Sequence, residues 1–133
     1  SNICRNYKLL TSIKGVGPIT AIVMLCSTLN FTKITDHRKF ACYCGLAPFE
    51  HSSGTSVRGG CHTSSMANRD IKVHLNRSAL IAIRCDPQLK AYYERKVAEG
   101  KHKFSVLNAV RAKIAARCFA VVRRGTPYVA LQI

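Results

Sequence analysis

Leu10 to Ala21, LTSIKGVGPITA, is the stretch that decides the fold class. Gly15 and Gly17 flank one apolar residue, so the backbone can turn sharply there. Pro18 follows, a residue that suits the first position of a helix, where its missing N–H costs nothing. The stretch reads as helix, tight turn, helix. Upstream, residues 5–13 carry Tyr7, Leu9, Leu10 and Ile13, a short helix. Downstream, Ile19, Ile22, Val23, Cys26 and Leu29 recur at helical spacing and are expected to face inward. A helix-hairpin-helix element is thus expected over about residues 8–30. The N–H groups at the start of its second helix can point at a phosphate, with the charge of Lys14 beside them. Lys14, Gly15 and Gly17 are therefore candidate nucleic-acid contacts. A plain αα-turn that merely needs glycine is the alternative.

Working outward, Thr35 is placed to cap a third helix running to about Cys44, with Phe40 and Tyr43 inside. Gly45 ends it. Residues 46–64 show no helical period and are rich in Gly, Ser and Thr, a long loop or irregular hairpin. A fourth helix is expected from about Met66 to Arg84. Its inner positions are Ile71, Leu75, Ala79, Ala82 and Ile83, and Arg69, Lys72 and Asn76 lie outside. Asp86-Pro87 is an N-cap and first-turn proline opening a fifth helix with Leu89, Tyr92, Tyr93 and Val97 that stops at Gly100. Lys101 and Lys103 precede a last helix, about 104–124, with Leu107, Val110, Ile114, Cys118 and Val121 inside and Gly125 at its end. The expected fold is mainly α, a single helical domain over 1–133 with a helix-hairpin-helix element and a long Ser/Gly-rich loop or irregular hairpin.

Composition narrows the partner. The chain has 133 residues, 47% of them hydrophobic, enough for one packed core. Lys and Arg number 21 against 6 Asp and Glu, a formal charge of +15. Such a domain repels itself unless it meets a polyanion, and DNA or RNA fits better than an anionic membrane. No apolar run approaches the length of a membrane span, and no signal-peptide pattern opens the chain. Ser1-Asn2 reads as a tag remnant on a fragment that starts mid-protein. The 7 cysteines are odd in number and sit mostly in apolar periodic segments, so they are expected to be buried, reduced thiols in a cytosol. Cys42, Cys44, Cys61 and His62 lack the spacing of a zinc ribbon or finger, and no metal site is expected.

The chemistry-bearing stretch is Gly45 to Lys72, GLAPFEHSSGTSVRGGCHTSSMANRDIK. It sets a Ser52-Ser53-Gly54 turn ahead of Arg58, with Asn68-Arg69 opening the next helix. A hydroxyl on such a loop can attack a phosphodiester while the guanidinium groups neutralise charge building on phosphorus. A solvated Ser-Gly loop is the bland alternative. His51 and His62 lack a carboxylate to orient them, so a hydrolase triad is unsupported. Asp36, Glu50, Asp70, Asp86, Glu94 and Glu99 are not spaced to gather two on one site, which argues against a two-metal nuclease centre. Lys101, His102, Lys103 and Arg111 read as a phosphate-contacting strip. The basic residues Arg111, Lys113, Arg117, Arg123 and Arg124 spread over more than one face of the last helix, some simply solvated. Tyr92 and Tyr93 read as core and rim.

Several of these strings in order, LTSIKGVGPITA, FACYCGLAPFEHSSG, VRGG, ANRDIK and the Gly100-Lys101 to Arg123-Arg124-Gly125-Thr126-Pro127-Tyr128 ending, resemble one family. It is the C-terminal transposase domain (IS116/IS110/IS902 type) of the DEDD transposases of bacterial insertion sequences, the bridge-RNA-guided recombinases. The resemblance covers about residues 8–128. It implies that the serine before the glycine in the loop after Gly-Leu-Ala-Pro, here Ser53, attacks DNA and forms a phosphoserine link during strand exchange; Ser52 is its immediate neighbour. Ala67 departs from the glycine usual before Asn-Arg. The resemblance further implies four metal-binding acids on a resolvase-like domain absent from this chain, hence Mg2+ there and no cofactor here. DNA, a guide RNA and a homo-oligomer are the implied partners, in a bacterial cytoplasm near the nucleoid. The expected activity is that of a transposase or recombinase domain, inactive as an isolated fragment. A non-catalytic DNA- or RNA-binding module is the second reading, and a basic protein-interaction domain the third.

Overall fold

The computed structural model describes residues 2–44 and 65–129, with side chains of 65–68 left aside. Six helices make up the ordered elements among these residues: α1 (Asn2–Thr11), α2 (Pro18–Ser27), α3 (His37–Tyr43), α4 (Ser65–Cys85), α5 (Pro87–Ala98) and α6 (Lys103–Arg124). The mainly α expectation holds. Two long helices, α4 and α6, pack on each other at the centre; α2 and α5 lie against α4, while α1, α3 and α5 lie against α6. The core between them is lined by Leu10, Met24, Phe40, Leu75, Val110 and Ile114. Phe119 of α6 closes it, meeting the Phe31 ring edge-on at 4.8 Å and the Phe40 ring at 5.4 Å. No described helix is long and apolar enough to cross a membrane.

Local chemistry explains the boundaries. Asp86 is 2% exposed, and its carboxylate accepts from the Gln88 and Leu89 amides, capping α5 ahead of Pro87. Gly125 ends α6 in the left-handed region at φ 73°. Three boundaries differ from expectation. Asp36, whose carboxylate accepts from Arg38 N, caps α3, while Thr35 is exposed. The Asp36 acceptor sits one residue nearer the helix and wins. Lys103 is the first residue of α6 rather than a residue before it, because His102 supplies the cap through Nδ1, which accepts from Phe104 N at 3.1 Å. α1 begins at Asn2, and Ile13 lies in the turn that follows it.

The phase of α2 also differs. Ile19, Ile22 and Leu29 are 59%, 50% and 58% exposed, and Cys26 is exposed as well. Thr20, Ala21, Met24 and Leu25 face inward instead. The helix carries no charged residue, so no polar face marks its outside. Close approach to α4 selects small residues: the Ser78 hydroxyl donates to the Thr20 hydroxyl at 3.1 Å across the interface.

After α2 the chain makes a left-handed turn through Leu29, Asn30 and Phe31, at φ 52°, 57° and 63°. Each non-glycine residue there costs about 1–2 kcal/mol. Buried Thr28 organises the turn: its hydroxyl donates to Met24 O at 2.7 Å and accepts from Phe31 N at 2.8 Å. Asn6 of α1 donates to the Asn30 side chain at 2.8 Å, fixing the turn from the other side.

The cysteines differ from expectation too. Cys4, Cys26, Cys42 and Cys85 are exposed, and only Cys44 and Cys118 are buried among those described. Burial pushes both of these thiols up to about 12, slightly offset at Cys44 by the charge of Lys72.

Candidate nucleic-acid interface

The α1–α2 turn divides its two glycines between different tasks. Gly15 sits at φ 95°, and a Cβ there would lie 2.7 Å from Ser78 O and 3.2 Å from Ala82 Cβ. Gly15 therefore lets the turn press onto α4. Gly17 is extended, at φ −94° and ψ −174°, and a Cβ there would meet nothing within 4 Å. It is the N-cap of α2, and no side chain caps the helix. The positive end of the α2 dipole is thus presented at an open surface, with exposed Lys14 three residues before it.

A second group of cations stands on α4. Arg69 and Lys72 are both exposed and lie one helical turn apart. Asn68 belongs to the first turn of the same helix. Lys72 is close enough to Cys44, the C-cap residue of α3, for its charge to act on that thiol. The segment that carries Ser52, Ser53, Arg58, His51 and His62 leaves the described chain at Cys44 and rejoins it at Ser65. Those residues lie outside the described ones.

The third group is split. Lys101, His102 and Lys103 are exposed at the start of α6. Arg111 lies on the same helix, about 12 Å of axial rise beyond Lys103 at 1.5 Å per residue. It is half-buried, its Nε has no hydrogen-bond partner among the described residues, and burial lowers its pKa. The expected strip is therefore two features, an exposed basic corner and a partly desolvated guanidinium.

No group of three His, Cys, Asp or Glu among the described residues could hold a metal ion. Cys42 and Cys44 diverge at the end of α3, Cys42 exposed and Cys44 buried with its Sγ donating to Phe40 O at 3.0 Å. Several carboxylates have structural work: Asp36 and Asp86 cap helices, and Glu99 pairs with Lys96 at 3.5 Å. The residues described do not fit a Mg2+ site.

One feature escaped the sequence reading. α5 and α6 enclose an open groove of about 590 Å³ lined by Gln88, Tyr92, Arg95, Lys113 and Arg117, among others. Lys113 and Arg117, expected only as part of a spread of basic residues over the faces of α6, converge there with Arg95 of α5. The signal was present in the spacing, Tyr92 with Arg95 on α5 and Lys113 with Arg117 on α6, each pair one turn apart.

With this architecture in view, comparison with known proteins settles the class. Residues 7–94 match the model of the Transposase IS116/IS110/IS902 family, and the chain belongs to that family. It is 39% identical over 120 residues to a 43.6 kDa protein of insertion element IS110 from Streptomyces coelicolor, covering 90% of this chain and 29% of that protein. It is 26% identical over 126 residues to the pilin gene-inverting protein of Moraxella lacunata, covering 92% of this chain and 39% of the relative. A 42 kDa protein of insertion element IS900 from Mycobacterium paratuberculosis is 30% identical over 112 residues, 83% of this chain and 28% of that protein. The chain thus spans about a third of the length of these relatives.

Proposed function

We propose that this chain is the serine-bearing, DNA-contacting domain of a transposase or site-specific recombinase. The observation that carries the reading is the placement of Arg69 and Lys72 on the exposed face of α4, with Lys72 acting on Cys44, where the Ser-Gly segment begins. These cations stand ready to hold a phosphodiester backbone beside that segment. In this reading the Ser53 Oγ attacks phosphorus, the Oγ–P bond forms and the P–O bond to the leaving sugar breaks. The serine proton passes to a base, and the leaving oxygen takes up a proton. Arg58, Arg69 and Asn68 would stabilise the charge on phosphorus. Lys14 and Gly17 would take another phosphate, farther along α4, at the α2 N-terminus, with Gly15 setting that turn. Lys101, Lys103 and Arg111 would extend the backbone contacts.

The acids and Mg2+ of the reaction are assigned to a further domain, as the family resemblance implies. A guide RNA and a homo-oligomeric assembly belong to the same proposal. The apolar outer face of α2, with Ile19, Ile22 and Leu29 exposed, favours an assembly that covers it.

The test uses a longer protein containing this chain and a nicked DNA substrate that traps covalent adducts. Ser53→Ala is expected to abolish the adduct on a denaturing gel while DNA binding persists, and Ser52→Ala is expected to retain the adduct. An adduct that survives Ser53→Ala but not Ser52→Ala would assign the reaction to the neighbouring hydroxyl. Full recombination by both variants would favour the second reading, a non-catalytic nucleic-acid-binding module.

A further inference from the structure

The α5–α6 groove is on a part of the molecule that none of the expected contacts uses. Lys113 Nζ stands 4.6 Å from the Tyr92 ring centroid, and Arg95 Cζ stands 5.7 Å from the same centroid. Two like charges are therefore held to one aromatic ring, in a chain whose formal charge is already +15. Cation–π attraction offsets part of their repulsion. Among the described residues, neither cation has a carboxylate within salt-bridge distance; the two ion pairs there join Lys96 to Glu99 and Arg117 to Asp86. Among the described residues no Asp or Glu lines the groove. An adjoining cleft of about 280 Å³ shares Gln88 and Arg117 with it and adds Arg124 and Tyr128, so the basic track continues along α6. Arg117 is committed to Asp86 and lies over the Tyr128 ring at 4.8 Å. Lys113 and Arg95, both exposed, remain as the cations of the α5–α6 groove itself that are available to a ligand.

We infer that this groove binds the sugar-phosphate backbone of a single nucleic-acid strand, with Lys113 and Arg95 contacting phosphates and Tyr92 positioning both cations. The charge demands a polyanion, since one small anion would not follow a track that passes from one cleft into the next. The groove is a furrow of about 590 Å³ between two packed helices, sized for one extended strand rather than a duplex. Cations interleaved with aromatic rings are the usual composition of such strand-binding channels. The inference rests on the reading of the chain as a nucleic-acid-binding domain, and it adds a site remote in sequence from the Ser-Gly segment.

The experiment is fluorescence anisotropy on this chain with labelled single-stranded DNA of about 20 nucleotides, long enough for a site of roughly 4–16. RNA of the same sequence and the corresponding duplex form the other arms, all titrated across a range of KCl. Arg95→Glu with Lys113→Glu is expected to weaken single-strand binding at least tenfold. The log–log salt slope should fall by about 1.4, two phosphates at roughly 0.7 each. Lys113→Gln should act in the same direction with a smaller loss. Tyr92→Phe, which keeps the ring face, should bind like the parent, and Tyr92→Leu should weaken binding about threefold, the equivalent of a modest cation–π contribution. Circular dichroism melts verify that each variant folds. The DNA and RNA arms identify the preferred strand. Unchanged single-strand binding in the charge-reversed variant, with loss in Lys14→Glu, would overturn the groove and leave the broader reading standing. A larger loss for duplex than for single strands would overturn the single-strand assignment. Absence of nucleic-acid binding by the parent chain would overturn both.

Discussion

Arg117 Nη1 donates to Asp86 Oδ2 at 2.6 Å, joining α6 to the capping residue of α5. Arg117 also donates to the Gln88 side chain at 3.0 Å and covers the Tyr128 ring, so one guanidinium ties α5, α6 and the exit segment. Ser12 completes the tie by accepting from Tyr128 N at 2.9 Å. Removing one member of a buried pair leaves the other uncompensated, at a cost of about 3–5 kcal/mol. Arg117→Met is expected to fall near the lower end, because the carboxylate keeps its two amide donors. Urea denaturation of the two proteins checks this, and a shift under about 1 kcal/mol would show that the pair is dispensable.

The same carboxylate sets a pH dependence. Burial pushes Asp86 up, but the hydrogen bond and charge of Arg117 and the amides of Leu89 and Gln88 outweigh it, and its pKa falls below the ordinary 3.8. A group depressed on folding stabilises the protein above its unfolded pKa, and that stability is lost as pH falls through the folded value. The urea midpoint should therefore drop on acidification below the ordinary carboxylate range. Asp86→Asn, starting from lower stability at neutral pH, should show a shallower drop. Parallel slopes for the two proteins would place the acid sensitivity elsewhere.

Gly15 and Gly17 make opposite predictions. Gly15→Ala combines a left-handed φ with a Cβ 2.7 Å from Ser78 O, and should cost about 1–3 kcal/mol. Gly17→Ala meets open space and should melt within a few degrees of the parent. Gly17→Leu should fold yet weaken DNA binding to all sequences alike, since a phosphate contact carries no base information. Thermal melts and anisotropy on two unrelated duplexes separate these effects. Loss confined to one sequence would count against a phosphate contact.

Thiol labelling follows from burial. Cys4, Cys26, Cys42 and Cys85 are expected to react with iodoacetamide in the native protein, whereas Cys44 and Cys118 react only on unfolding. Peptide mass spectrometry after a timed pulse reports each site. Early labelling of Cys118 would mean that the α6 core opens readily.

Elements with two-sided chemistry were legible in the sequence. α4 alternates Ile71, Leu75, Ala79 and Ala82 with Arg69, Lys72 and Arg84, so its phase follows from the pattern and the structure agrees. Asp86-Pro87 and Gly125 likewise mark boundaries by mechanisms that need no tertiary information. The phase of α2 was not legible, because apolar residues surround the helix and only the close approach of Ser78 decides which side is inner. The role of Gly15 was hidden for the same reason: its neighbour is more than sixty residues away along the chain. The convergence of Arg95 and Lys113 on Tyr92 also depends on how α5 folds back along α6. For the candidate site, the exposure of Arg69 and Lys72 followed from the pattern, whereas the burial of Arg111 did not.

Leu29 carries two costs at once, a left-handed backbone at φ 52° and an apolar side chain 58% exposed. Among the described residues neither is repaid by packing of its side chain. Leu29→Gly removes the Cβ penalty of about 1–2 kcal/mol, offset in part by about 0.4–1 kcal/mol of added freedom in the unfolded chain. The neighbouring bonds that hold the turn, Thr28 to Met24 O and Phe31 N to Thr28, do not involve the Leu29 side chain. The variant is therefore expected to be more stable by roughly 0.5–1 kcal/mol, a rise in melting temperature of about 2–5 °C for a domain of this size. Differential scanning calorimetry measures the shift. Asn30→Gly is the contrasting control. It relieves the same kind of strain but deletes the acceptor of the Asn6 side chain, leaving a buried amide unpaired, and should destabilise. If Leu29→Gly lowers stability instead, the side chain contributes packing in solution, and the α2 outer face is covered even in the isolated chain.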